Sequence, residues 1–231
     1  ALRHIISSVN GLYVTPGPFS FYRRSIIVEL GGFRKGHNTE DLEMALRIQE
    51  AGYTIENAPR ARVYTKTPTT VPSLVKQRVR WTTGFVRNVM FEYRGLIANP
   101  KFGTLGLVVL PLGLIAIVGG IFIFVLAVTQ FIKSVINGYA LISGVPLSYT
   151  FSPQWLNFDV FFIPVTGLIL LSIIAMTGSV TLMIVGKRIS RTPSSLFAGI
   201  IAYLLFYGMI APLWLIRTVY DIVTGTKRSW R

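Results

Sequence analysis

Apolar and polar positions divide the chain into two unlike stretches that meet near residue 104. Up to about Gly103, apolar runs are short and broken by turn residues. Ile5 to Val9 is one such run, and Gly11-Leu12-Tyr13-Val14 predicts a strand ended by Thr15-Pro16-Gly17-Pro18. The aromatic-rich Phe19 to Arg24 predicts a strand or extended wall, and Ser25 to Leu30 a short helix with Ser25 as N-cap, closed by Gly31-Gly32. Asn38 or Thr39 caps a second helix. Leu42, Ala45, Leu46 and Gln49 follow at helical spacing, and Gly52 stands where the chain must leave the helix. Tyr53-Thr54-Ile55 and Ala61-Arg62-Val63-Tyr64 predict two more strands. Pro72 opens a long helix running to about Arg94. Its apolar positions are Leu74, Val75, Val79, Phe85, Val86, Val89 and Met90, against basic Lys76, Arg78, Arg87 and Arg94. Such an amphipathic helix suits a membrane surface.

Beyond Lys101 the pattern becomes continuous. Residues 105–132 contain no charge and exceed the roughly 20 apolar residues that cross a bilayer. Further spans are predicted at 161–185 and 196–216. Lys133 to Asn157 is nearly uncharged, whereas Lys187-Arg188-Ile189-Ser190-Arg191 is basic, which places the first loop outside and both the second loop and the N-terminal part in the cytoplasm. Three full crossings would leave the basic tail Lys227 to Arg231 outside. A re-entrant segment around Ile136 to Tyr149, or an incomplete third crossing, would resolve that conflict.

Composition agrees with a chain part membrane-embedded: 52% of the 231 residues are hydrophobic, 14% are charged, and mean hydropathy is +0.56. The net charge of +14 fits cytoplasmic loops at anionic lipid and an anionic nucleotide better than a nucleic acid. With no cysteine there is neither a disulfide nor a thiolate metal site. The chain does not begin with methionine, and an N-terminal portion is expected to precede Ala1.

Three aspartates are present, and Asp159 and Asp221 flank or enter the apolar segments. Asp41 is therefore the candidate general base toward a water-borne substrate, fixed at a helix start with Glu40 beside it. Its competing role is helix capping, through an Asn38-x-x-Asp41 box. Gln77, Arg80, Trp81 and Gly84 share one helical face, with Arg78 to the side. Guanidinium groups fork onto phosphates and an indole offers a platform for a sugar ring, with Gly84 leaving space above that face. The same residues equally suit an interfacial helix meeting lipid. His4 and His37 have no ligand spacing.

Taken together, Thr39-Glu40-Asp41 and Gln77-Arg78-Val79-Arg80-Trp81, followed by membrane-type sequence, resemble the C-terminal half of a processive family-2 glycosyltransferase, such as the cellulose, chitin, hyaluronan and poly-N-acetylglucosamine synthases. Gly17 to Arg24 and Glu29 to Phe33 look like the segment preceding the Thr-Glu-Asp motif there. The resemblance implies an α/β fold, with residues 1–71 the end of a cytoplasmic GT-A-like domain, 72–104 an interface-helix region and 105–231 a helical transmembrane bundle. It implies inverting transfer from a nucleotide-diphosphate sugar to a growing polysaccharide at the cell membrane, with membrane lipid as a further partner. Asp41 is then the base, Trp81 stacks on the acceptor, and Gln77, Arg78 and Arg80 contact the acceptor end or the donor diphosphate. A divalent Mg or Mn ion is expected for the full-length enzyme, but the family's Asp-x-Asp motif lies N-terminal to this region and is absent here. By itself the chain is expected to bind neither metal nor nucleotide sugar normally. A non-processive enzyme acting on a lipid acceptor and a non-catalytic transport or scaffold protein are the alternatives.

Overall fold

A computed structural model describes residues 6–15, 17–58, 61, 63, 65–143, 167–190 and 197–226. Helix α1, Arg24–Glu29, starts one residue before the expected serine cap, and the chain leaves it through Gly31 and Gly32 at φ of 76° and 77°. Helix α2, Glu40–Glu50, carries Glu40, Asp41 and Glu43 in its first turn and Arg47 in its last, each charge matched to the macrodipole. Gly52, at φ of 84°, follows it as expected. Thr39 is the N-cap but makes no side-chain capping bond: its hydroxyl donates to Gly36 O at 2.7 Å, while Asp41 accepts from the amide of Leu42 at 2.9 Å. Helix α3, Val71–Arg87, begins with a true capping box between Thr70 and Ser73, with Pro72 in its first turn. Its continuation widens into a π turn at Asn88–Glu92 and ends in a 3-10 turn at Arg94–Leu96.

The expected α/β architecture is not present. The described residues are helical and contain no strand, so the GT-A-like sheet read from Gly11 to Val14, Phe19 to Arg24 and Tyr53 to Ile55 is corrected. Positions 62 and 64 of the fourth expected strand lie outside the described residues. Strand propensity is realised only where a neighbouring strand supplies partners. Here side chains supply them. Gln49 Nε2 donates to Leu12 O and Asn10 O, both at 3.2 Å, and Ser7 Oγ bridges Ile55 O and the amide of Asn57.

The core sits where α2, the second half of α3 and the following turns meet the start of the apolar region. Leu42, Leu46, Phe85, Val86, Val89 and Leu96 are buried together there. The face of α3 expected to meet lipid is therefore largely a protein core face, although Met90 and Phe91 stay exposed. At about 25 cal/mol per Å² of apolar surface, that burial is the main attraction holding α3.

Leu105–Val109 forms a π turn leading into α4, Leu110–Ile142. Helix α4 runs ten residues past the expected end at 132 because Lys133 to Ile142 holds no proline to stop it. Helix α5 covers Gly167–Ser190; α6, Phe197–Ala202, leads through a π turn at Tyr203–Tyr207 into α7, Gly208–Val223. Among the described residues, two helical stretches are long and apolar enough to cross a membrane, Leu105–Tyr139 and Ile169–Arg188. The expected bundle of three spans is thus reduced to two candidates. The third segment is helical but α7 packs along α3, burying Trp214, Thr218 and Asp221. Residues 144–150, 161–166 and 227–231, on which parts of the topology reading fell, lie outside the described residues.

Candidate active site

Four segments position Asp41. It stands in the first turn of α2, and its own carbonyl accepts from Thr15 Oγ1 at 3.0 Å, which also pairs with the Tyr22 hydroxyl at 2.7 Å. The aromatic stretch before α1 is thereby tied beside the carboxylate. From the other side, α3 approaches until Gly84 touches Thr39: a β-carbon on Gly84 would lie 2.3 Å from Thr39 Oγ1 and 2.4 Å from Thr39 Cγ2. One turn on, the fully buried Asn88 side chain donates to Gly84 O at 2.8 Å, Gly36 O at 2.9 Å and Thr39 Oγ1 at 3.1 Å. The turn that carries Thr39 and Asp41 is thus in direct contact with the helix that carries Gln77 to Trp81, three residues beyond that motif. Gly84 does not open space over Trp81, as its spacing implied, but lets the helices close on each other.

Gly84→Ala would force that contact apart. Overpacking of this kind costs about 1–3 kcal/mol, against the ~1 kcal/mol that alanine returns in helix propensity. A lowered midpoint in thermal melts of the detergent-solubilised protein is the expected result.

Burial pushes the Asp41 carboxyl above its ordinary value of 3.8, and the charge of exposed Glu40 adds to the rise. The Leu42 amide and the positive field of Arg80 pull the other way. The structure thus brings Asp41 and Arg80, residues of different helices, within electrostatic reach. Gln77 and Arg80 also line an open groove of about 400 Å³ along the first turns of α3. Trp81 is 43% exposed and lies outside that lining, with the Arg78 guanidinium 5.1 Å from its ring centroid. One indole face is thus taken by a cation–π contact. Arg78 Nε is buried without a hydrogen-bond partner among the described residues.

Sequence reasoning missed the frame behind the site. Glu43 and Arg47, one turn apart on α2, form a buried ion pair at 2.8 Å, with side chains 4% and 6% exposed. Arg47 also donates to Leu30 O and, at 2.8 Å, to Gly32 O, fixing the turn after α1. Glu43 accepts from the Tyr93 hydroxyl at 2.5 Å. Burial, and then the hydrogen bond to the Glu43 carboxylate, raise the Tyr93 phenol above its ordinary 10.0. Opposite charges at i and i+4 were the available signal.

The described residues do not fit a divalent metal. No group of three or more His, Cys, Asp or Glu side chains among them could share an ion, and the field of Arg80 at Asp41 is positive. His37 pairs with Glu92 at 3.3 Å, and His4 lies outside the described residues.

The family model described as "Glycosyl transferase family group 2" matches residues 3–216. Among curated proteins, the chain is similar to poly-beta-1,6-N-acetyl-D-glucosamine synthase of Staphylococcus aureus (strain COL), with 28% identity over 86 residues. That match covers 37% of this chain and 21% of the relative. The Staphylococcus epidermidis protein of the same name is 28% identical over 85 residues, with the same coverage. The chain thus spans about a fifth of the length of these relatives. No solved structure matches.

Proposed function

Since the chain belongs to glycosyl transferase family group 2, we propose that residues 38–81 form the acceptor-activating side of a membrane-bound, inverting and processive polysaccharide synthase. One observation carries this reading: a half-buried carboxylate at a helix start is locked, through Thr39 against Gly84, to the helix that presents Gln77, Arg80 and Trp81. In the proposed reaction Asp41 takes the proton of an acceptor hydroxyl while that oxygen attacks the anomeric carbon of a nucleotide-diphosphate sugar. The bond from that carbon to the phosphate oxygen breaks, and its electron pair leaves with the diphosphate. Inversion follows from a single displacement.

Gln77, Arg78 and Arg80 contact the donor diphosphate or the acceptor end, and the free face of Trp81 stacks on the acceptor sugar. In this reading the protein sits in the cell membrane with its catalytic side toward the cytoplasm; the apolar side chains exposed along α4 and α5, which are suited to lipid, support the membrane part of it. The relatives' name makes N-acetylglucosamine the first donor to try. Membranes carrying the full-length enzyme, of which this chain is expected to be the C-terminal part, should incorporate it from its nucleotide-activated form into a polymer. Absence of polymer with this donor and with other hexose donors would overturn the proposal.

Trp81→Ala tests the acceptor role separately. Because Trp81 is half exposed, its loss should shift the melting temperature little. Product chains, sized by gel filtration, should shorten. Unchanged length would remove Trp81 from the acceptor site.

A further inference from the structure

The groove on the first turns of α3 is lined by Lys66, Lys76 and Arg80, together with Thr67, Ser73 and Gln77. No carboxylate contributes to it. None of the three cations is in an ion pair among the described residues, and both lysines are exposed. The groove also lies at the N-terminal end of a 17-residue helix, where the macrodipole adds positive potential. Three cations outside any ion pair among the described residues, two hydroxyls and an amide in one concavity make a site for a multiply charged oxyanion, since each like charge raises the cost of leaving the groove empty.

We propose that Lys66 and Lys76, which no motif singles out, bind the diphosphate group. This rests on the transferase reading above and adds two residues to it. Arg80 belongs both to the groove and to the field at Asp41, so the groove and the carboxylate share one residue. As the bond to the sugar breaks, negative charge grows on the phosphate oxygen, and cations fixed in advance stabilise that growth. Phosphates of anionic lipid offer the same chemistry, and the experiment separates the two sources.

Inorganic pyrophosphate is titrated calorimetrically into the detergent-purified chain, and in parallel the chain is sedimented with phosphatidylglycerol vesicles. The expected result is pyrophosphate binding that weakens with salt, falls roughly tenfold in Lys66→Gln and again in Lys76→Gln, and returns in the Lys66→Arg and Lys76→Arg variants. Exposed lysines are replaceable without unfolding, and equal melting temperatures would establish that here. No pyrophosphate binding by the unaltered chain, or equal affinity in the double glutamine variant, overturns the proposal. So does loss of vesicle binding with pyrophosphate affinity intact, which would make the groove a lipid contact. Polymer synthesis with an unchanged donor KM in the lysine variants refutes the groove alone. Lysine-dependent pyrophosphate binding by the chain, without polymer synthesis by the full-length enzyme, refutes the transferase reading and leaves the groove standing.

Discussion

Replacing Asp41 with asparagine is expected to slow sugar transfer by roughly 10²- to 10⁴-fold, the span that a positioned general base contributes, without weakening the fold. The side chain keeps its shape and can still accept from the Leu42 amide, but it can no longer take a proton. Stability should move in the opposite direction to activity. Burial raises the folded-state pKa of Asp41 above its ordinary 3.8. The associated stabilisation is therefore complete below 3.8 and lost as pH rises through the raised value. At neutral pH the ionised carboxylate is a burden that asparagine removes. Equal or higher melting temperature with transfer abolished is the expected pair of results, and a variant that retains full turnover would end the role given to Asp41.

The pH profile supplies a second reading of the same residue. Transfer should fall as pH drops through the raised pKa of Asp41, because the protonated acid cannot act as base. Arg80 holds that pKa down. Arg80→Gln should therefore move the acid limb of kcat/KM to higher pH, in addition to any loss of substrate affinity.

Arg47→Ala should have the largest effect on stability. It leaves the Glu43 carboxylate buried and strips donors from Leu30 O and Gly32 O. Breaking a buried pair from one side costs about 3–5 kcal/mol, a large part of the about 5–15 kcal/mol by which most domains are stable. Loss of a cooperative thermal transition, or a steep fall in its midpoint, is expected. Glu43→Ala should be similarly harmful, while the double replacement should cost less than the sum, since neither charge is then stranded. Additivity across that cycle would show that the two groups act independently. Activity should fall in step with folding, in contrast to Asp41→Asn.

Which parts were legible in the sequence follows from how local each one is. The start of α2, the glycine after it, and the shared face of Gln77 and Arg80 depend on neighbours within a few residues, and helical period reveals them. Gly84 was legible as a small residue on that face, but its use depends on Thr39, 45 positions earlier. The sheet failed for the same reason in reverse. Gly11 to Val14 and Tyr53 to Ile55 have strand-forming side chains, yet their partners are Gln49 and Ser7 rather than another strand. The amphipathic α3 was recognisable, but its period does not say whether protein or lipid covers the apolar stripe.

Arg87 sets an order in which parts of this protein can come together. Its guanidinium donates to Asp221 O at 2.9 Å and Thr226 O at 3.3 Å, carbonyls 134 and 139 residues further along the chain. While the polypeptide is still emerging from the ribosome, α3 has no such anchor. Its outer side is covered only once α7 has been made, so a premature stop codon ahead of α7 would leave Asp41 and Arg80 on a scaffold missing one of its walls.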